Sequence, residues 1–214
     1  MKEVKLFQYS ESEEIANVIT HLFGIFFGIF VLFSLLFSLP NNYSNFAVAS
    51  CLIYSLSLIA LYSASTSYHF VKSDRLKVKL KKADHICIYY VIAGTYTPFL
   101  LVSIGGNFGT SFFLFIWILA LLGTFFKLIH SRKFQKLSLI MYLAMGWLAL
   151  TIWNPLVKSV SEEGVKLIIV GGLFYTFGVI FYSMKKMRYH HMIWHLFVLF
   201  GSIAHYFAIK TIVF

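Results

Sequence analysis

The feature that most constrains this chain is a series of seven apolar runs, separated by short polar or turn-forming stretches. A helix needs about 20 mainly apolar residues to cross the hydrocarbon core of a bilayer. The seven runs are close to that length. They predict an all-α membrane protein with seven transmembrane helices, over residues 15–38, 46–70, 84–103, 109–129, 137–153, 164–184 and 190–213.

The composition excludes a water-soluble domain. Hydrophobic residues make up 59% of the chain and charged residues 12%, whereas soluble proteins carry about 25% charged residues. A formal net charge of +10 is also found in proteins that bind nucleic acids. Here, however, the basic residues fall in short loops between apolar runs, which is the pattern of membrane topology. We therefore expect membrane lipids as partners and no binding of nucleic acid.

The distribution of basic residues predicts the orientation. The N-terminus and the loops after the second, fourth and sixth runs hold fifteen of the 18 Lys and Arg residues, counting Lys127 at the edge of the fourth run. Basic residues are concentrated on the cytoplasmic side of membrane proteins. We expect a short cytoplasmic N-terminus over residues 1–14 and a transmembrane domain over residues 15–214. The C-terminus then lies outside the cell, and the protein is a multi-pass protein of the plasma membrane.

Histidines in the last run give the first indication of a function. His191 and His195 are four residues apart, so on a helix they lie one turn apart on the same face. His69, at the end of the second run, is at the same predicted depth, and Ser65 lies one turn before it. Asp84, at the predicted start of the third run, is at that depth too. Ionisable side chains within spans usually face the bundle interior, so we expect these groups to converge.

This set of residues is typical of a catalytic zinc site, in which three protein ligands leave a fourth coordination position open. We predict that His69, His191 and His195 bind Zn2+. Asp84 is then placed to hold or deprotonate a water at the metal, and Ser65 to hydrogen-bond to that water or to a substrate oxyanion. The alternative is that the histidines donate hydrogen bonds from one helix to another and that the Ser65 hydroxyl hydrogen-bonds to the backbone of its own helix.

Further polar residues lie on the first and last runs. Glu14, Asn17 and His21 share one face of the first run, either as part of the site or as residues that cap and anchor this helix. His205 is ten residues beyond His195, which is about 15 Å along a helix axis, so we expect it to serve in packing.

We expect structural roles for the remaining residues that have a reactive side chain or that interrupt a helix. Pro98 should kink the third helix. We expect His85, His130 and His190 to lie at interfacial or solvated positions at the membrane edge. Cys51 and Cys87 should be buried free thiols.

Several separated motifs, in order along nearly the whole chain, resemble those of the haemolysin III family. The matching stretches are Glu14-Ile-Ala-Asn17-Val-Ile-Thr20-His21, Ser65 with His69, Asp84-His85, Ala93-Gly94-Thr95-Tyr96-Thr97-Pro98-Phe99, and His191 with His195. This family is the bacterial branch of the progestin and adipoQ receptors, within a wider group that includes alkaline ceramidases. The resemblance implies seven spans, a cytoplasmic N-terminus, and zinc bound at His69, His191 and His195 beside Asp84 and Ser65.

Three functions follow from these observations. The first is a zinc-dependent intramembrane hydrolase of a lipid amide or ester, as the ceramidase relatives imply. The second is a non-enzymatic membrane-homeostasis or receptor-like protein in which zinc is structural, with Asp84 as a fourth ligand that closes the site. The third, implied by the family name, is a cytolysin. A secreted pore-former needs an export route and a water-soluble form, and the composition favours neither.

Overall fold

The computed structural model describes residues 9–129 and 135–213, and within these ranges all regular structure is helical. Seven helical segments in this part of the chain are long and apolar enough to cross a membrane, which confirms the predicted fold class. These seven segments contain eight α-helices, because α5 and α6 together form the fifth segment. The helices are α1 Glu11–Phe37, α2 Asn45–Phe70, α3 Asp74–Pro98, α4 Gly106–Ile129, α5 Gln135–Trp147, α6 Trp153–Ser159, α7 Glu162–Ser183 and α8 His190–Val213.

The first helix begins earlier than its apolar run. Ser10 caps α1: the Ser10 side chain accepts a hydrogen bond from the Glu13 backbone N–H at 3.4 Å, and the Glu13 carboxylate accepts one from the Ser10 N–H at 2.9 Å. This reciprocal pairing satisfies two amide groups that a helix start leaves unpaired. Glu14 is therefore held within the first turn, facing the neighbouring helices.

The start of the third helix differs most from the prediction. α3 begins at Asp74, so the basic stretch that was expected to be a loop forms its first turns. Lysine and leucine are good helix formers, and Lys77 on this extension forms an ion pair with Glu14 of α1. Asp84 consequently lies in the interior of α3 rather than at its start, about 15 Å from the first residue at 1.5 Å per residue.

Two spans change helix type part-way through the membrane. Directly after Pro98, the third span continues as a π-helical turn, Phe99–Ile104. Proline lacks the N–H that an α-helix needs at this point, so the kink predicted for this site takes the form of a change in helix geometry. In the fifth span, a 3-10 turn, Leu148–Ile152, joins α5 to α6. Pro155 lies in the first turn of α6, where proline is tolerated, and the span runs to Ser159 instead of ending at residue 153.

The helices form a ring around two buried clusters. α1 packs between α2 and α8, α3 packs against α2, α4 and α5, and α7 packs against α8. One cluster joins α1, α2, α3 and α8 around Tyr54, Leu58 and Tyr62, and the other joins α3, α4 and α5 around Tyr89 and Ile116. Large apolar side chains also cover the outside of the ring, as the hydrocarbon of a membrane requires.

Contacts at one end of the ring position the candidate site. At this end, which we call the basic end, α1, α3, α5 and α8 begin and α2, α4 and α7 end. It carries Lys77, Lys81, Lys185 and Arg188. Glu14 of α1 reaches α2 and α3, and the Glu13 carboxylate accepts a hydrogen bond from the Tyr189 N–H, 2.9 Å away, just before α8.

Close packing of α1 on α2 depends on Gly24, and this can be tested. A methyl group at Gly24 would overlap the ring of Tyr62, whose hydroxyl is held by a 2.8 Å hydrogen bond to Ser202. We expect Gly24→Ala to cost about 1–3 kcal/mol by overpacking and to lower the Tm by about 2–4 °C per kcal/mol. Gly146→Ala is the matched control, because a methyl group there meets nothing within 4 Å. Equal Tm values for the two variants would contradict the packing argument.

Candidate metal centre

The three predicted histidines converge at the basic end of the bundle. Each offers one ring nitrogen such that the three nitrogens lie within 4.8 Å of one another. The ring centroids are separated by 5.0 Å between His69 and His191, 5.1 Å between His69 and His195, and 4.5 Å between His191 and His195. All three side chains are buried. Within the described residues, this is the one group of histidines, cysteines and carboxylates close enough to hold a metal ion.

A carboxylate on α1 determines which nitrogen of His69 is available. Glu14 Oε2 lies 2.6 Å from His69 Nδ1, and the other Glu14 oxygen pairs with Lys77. An ionised carboxylate only accepts hydrogen bonds, so Nδ1 carries the proton. The Nε2 atom of His69 is then an unprotonated nitrogen, and it is buried without a hydrogen-bond partner in the part of the chain that the structure describes. Carboxylate–histidine pairs of this kind orient metal ligands in many proteins.

A hydroxyl on α1 acts in the same way on His195. Thr20 Oγ1 lies 3.2 Å from His195 Nδ1 and 2.9 Å from the carbonyl oxygens of Ala16 and Asn17. The Thr20 hydroxyl has one proton, and this proton is directed to the helix carbonyls. The oxygen therefore accepts from His195 Nδ1–H, which leaves Nε2 of His195 unprotonated and able to bind a metal.

The unpaired nitrogens favour a metal site over hydrogen bonding between helices. Both nitrogens of His191 are buried with no hydrogen-bond partner among the described residues, as is Nε2 of His69. Leaving buried polar groups unpaired is costly, especially in a membrane. Three nitrogens at 2.0–2.1 Å from a tetrahedral zinc ion are about 3.4 Å apart, and the three observed nitrogens lie within 4.8 Å of one another. The residues therefore fit a zinc ion.

The two predicted catalytic side chains lie next to the histidines. Asp84 and Ser65 are both buried and line the same cavity as His191 and His195. The Ser65 hydroxyl faces the Asp84 carboxyl, although the two groups do not meet the geometry of a directed hydrogen bond. The Asp84 carboxylate is not among the atoms that come within 4.8 Å of one another around the histidines.

The polar face of α1 belongs to this site. Asn17 is buried and packs against the His69 ring, with its Nδ2 atom 3.4 Å from the protonated Nδ1. His21 stacks on His195 with ring centroids 3.5 Å apart, and neither nitrogen of His21 has a hydrogen-bond partner within residues 9–129 and 135–213. Together with the Glu14 contact to His69, these positions favour a role in the site over capping and anchoring alone. The i, i+3 and i+7 spacing of the three residues was the signal available in the sequence.

An apolar cavity of about 350 Å³ extends from the histidines into the bundle. Its walls come mainly from α3, α5, α7 and α8, and it reaches His205 in the second half of α8. This volume is within the range of pockets that hold small ligands. Most lining atoms are apolar, and most of the ionisable groups other than tyrosines lie near the basic end: His21, Asp84, His85, Lys127, His191 and His195.

A second, smaller cavity lies on the other side of Asp84. It has a volume of about 20 Å³, enough for a water molecule, and is lined by Tyr9, Lys81, Asp84, Lys185 and His191 among others. The Tyr9 ring covers it, with its centroid 5.2 Å from that of His191. Burial and nearby acidic and phenolic groups raise the pKa of Tyr9, so this hydroxyl stays protonated.

Several positions differ from the sequence-based expectations. His85 and His190, expected at a solvated membrane edge, are buried. Lys127, counted with the basic loops, is 2% exposed and faces inward. His130 lies outside the described residues. His205 is buried as expected: it packs against Gly171 and hydrogen-bonds through Nε2 to the Ile168 carbonyl at 3.3 Å. Cys51 and Cys87 are free thiols, the first buried and the second partly buried.

Comparison with known proteins identifies the family. A family model described as "Haemolysin-III related" matches residues 9–206. The chain is 41% identical to the hemolysin-3 homolog of Bacillus subtilis over 201 residues, which is 94% of each chain. The protein belongs to the haemolysin III family. It is also 38% identical to hemolysin-3 of Bacillus cereus, over 92% of this chain and 90% of that one.

The family extends to animal proteins. The chain is 33% identical over 167 residues to the human monocyte to macrophage differentiation factor, covering 73% of this chain and 67% of the relative. Like its relatives in the haemolysin III family, the protein is a multi-pass protein of the cell membrane. The matched residues include all three histidines of the cluster.

The histidine cluster predicts the metal content of the purified protein. We expect about one zinc ion per chain in protein prepared without chelators, and loss of the metal in His69→Ala, His191→Ala and His195→Ala. Elemental analysis of detergent-purified protein measures this directly. His205→Ala removes a buried histidine outside the cluster and should retain the metal. Wild-type protein that contains no metal and takes up none on titration would contradict this prediction.

The contact between Glu14 and His69 predicts that loss of the Glu14 carboxylate weakens metal binding without abolishing it. Glu14→Gln removes the carboxylate that orients His69, and changes of this kind typically cost 10–100-fold in metal affinity. Glu162→Gln is the matched control, because Glu162 pairs with Lys166 at the opposite end of the bundle. Competition with a chromophoric chelator measures both affinities. Unchanged zinc affinity in Glu14→Gln would show that His69 does not depend on this contact.

Proposed function

We propose that the protein is a zinc-dependent hydrolase that cleaves an amide or ester bond of a membrane lipid. The observation that carries this proposal is the position of the histidine cluster at the end of an apolar cavity inside the bundle. A site that only tied helices together would have no need of adjoining space. A lipid chain can occupy the cavity while its polar linkage lies beside the histidines.

The ligand set supports a site with an open coordination position. The three histidine nitrogens lie close together, and the Asp84 carboxylate is not within the same 4.8 Å group. Catalytic zinc sites have three protein ligands, whereas structural sites have four. When bound, zinc lowers the pKa of water to about 7 and polarises a carbonyl group.

The side chains around the histidines can carry the proton transfers of hydrolysis. In this reaction the oxygen of water bonds to the carbonyl carbon, the carbon–nitrogen or carbon–oxygen bond breaks, and the leaving amine or alcohol gains a proton. Asp84 is the group that takes the proton from water and returns it to the leaving group. Ser65, facing Asp84, donates a hydrogen bond to the substrate carbonyl oxygen. Glu14 and Thr20 hold the histidine rings in their orientation.

A structural role for the metal is the second candidate. His69 is on α2, and His191 and His195 are on α8. Residues of α1 hydrogen-bond to the rings of His69 and His195. A bound ion would therefore link α2 to α8, with α1 joined to them through hydrogen bonds, and would stabilise the bundle without any reaction. The names of the two Bacillus relatives suggest lysis of cells as a further activity. Disturbance of a membrane by an overproduced membrane protein can account for lysis without a dedicated pore.

Hydrolysis and structural stabilisation can be separated by two variants. We expect Asp84→Asn and Ser65→Ala to retain zinc but to release acid from a panel of amide and ester lipids more slowly, by about 10²-fold or more for Asp84→Asn. Ser55→Ala is the control, since Ser55 is buried on the same helix as Ser65 and its hydroxyl donates to the Cys51 carbonyl. Release of long-chain acid is measured by mass spectrometry.

The opposite outcome would favour the structural role. If zinc-loaded wild type hydrolyses none of the panel while removal of zinc lowers its Tm by many degrees, the metal stabilises the bundle and the hydrolase proposal fails.

A further inference from the structure

Lys127 is an unusual lysine for a membrane helix. It lies near the end of α4, where lysines normally extend along the helix to place the charge in the interfacial water. Lys127 instead turns into the bundle, is 2% exposed, and lines the large cavity together with Ser138 and Asp84. Neither the histidine site nor the packing of α4 accounts for this position.

The ammonium group has little protein compensation. Its one hydrogen bond, among the described residues, is to Ser138 Oγ at 3.4 Å, although an ammonium group has three donors. Asp84 is close enough to interact electrostatically, but no described carboxylate comes within 4.0 Å of Lys127. A buried charge without a close partner is costly in a protein and more so in a membrane.

The surroundings add positive charge at the same end of the cavity. Lys81 and Lys185 line the small cavity on the other side of Asp84. Buried His85 lies within electrostatic range of all three lysines. Asp84 is the one carboxylate among the described residues that lines both cavities. This end of the cavity therefore favours a ligand with negative charge, while the rest of the cavity favours an apolar chain.

We propose that Lys127, held by Ser138, forms an anion subsite that binds the negatively charged head group of an amphiphile whose chain lies in the cavity. The shared chemistry is an oxyanion, either a carboxylate or a phosphate ester. The ammonium donates charge-assisted hydrogen bonds to it, which are stronger than bonds between neutral groups, while the Ser138 oxygen accepts one hydrogen bond from the ammonium. The inference rests on the proposed function in one respect, namely that the cavity accepts a lipid. It adds that anionic lipids bind in preference to neutral ones.

Binding measurements test the subsite without any turnover. The probe is radiolabelled dodecanoate, bound to the full-length protein in a nonionic detergent, with dodecyl phosphate and dodecanol as competitors. For wild type we expect at least tenfold tighter binding of an anion than of the alcohol. Lys127→Met should abolish this preference and bind the alcohol unchanged, while Lys127→Arg should retain most of it. Lys186→Met, which removes an exposed lysine at the same end, controls for surface charge.

The competitors also identify the anion. Stronger competition by dodecyl phosphate assigns the subsite to a phosphate head group, and stronger competition by dodecanol than by either anion overturns the proposal. Unchanged binding of dodecanoate to Lys127→Met overturns it as well.

The same assay on His195→Ala separates this inference from the proposed function. If His195→Ala still prefers anions, Lys127 is the anion-binding group, and this conclusion holds even if the protein hydrolyses no lipid. If the preference disappears in His195→Ala and persists in Lys127→Met, the anion binds at the histidines and the subsite does not exist.

Discussion

The arrangement of this protein depends on the cost of placing polar side chains in a membrane. A buried polar group without a partner costs free energy, and hydrocarbon offers it no water. Three histidines on α2 and α8 therefore require groups that orient them, and α1 supplies two: Glu14 for His69 and Thr20 for His195. Both contacts leave Nε2 without a proton. The same constraint that brings the helices together thus prepares the nitrogens to bind a metal ion.

The first helix has a larger part in the site than its position at the start of the chain suggests. Its capping by Ser10 places Glu14 in the first turn, where the carboxylate reaches both α2 and α3. The pairing of Glu14 with Lys77 in turn supports the extra turns of α3 that precede Asp84. One carboxylate is therefore connected to a candidate ligand on one helix and to the helix that carries the candidate catalytic acid.

The distribution of charge divides the interior of the bundle into two parts. Near the basic end, histidines, Asp84 and buried Lys127 line the cavity, whereas further along the bundle its walls are mainly apolar. An amphiphile fits this division if its head group lies near the histidines and its chain follows the apolar walls. The proposed hydrolysis and the proposed anion subsite both use this polarity, one at the histidines and the other at Lys127.

The sequence alone was sufficient to predict the seven spans and the three histidines that converge. Span length follows from bilayer thickness, and the faces of helices follow from their period, so both can be read without a structure. The family resemblance was likewise evident from motifs along the chain, and the comparisons confirmed it.

Only the tertiary structure showed the inward position of Lys127, the burial of His85 and His190, the contact of Glu14 with His69 and the adjoining cavity. Local hydropathy placed the start of α3 too late, because a contact with α1 supports its basic first turns. Whether a charged residue at a helix end faces water or the interior depends on the rotation of that helix against its neighbours. That rotation is set by packing between residues far apart in the chain, and no local pattern of the sequence records it.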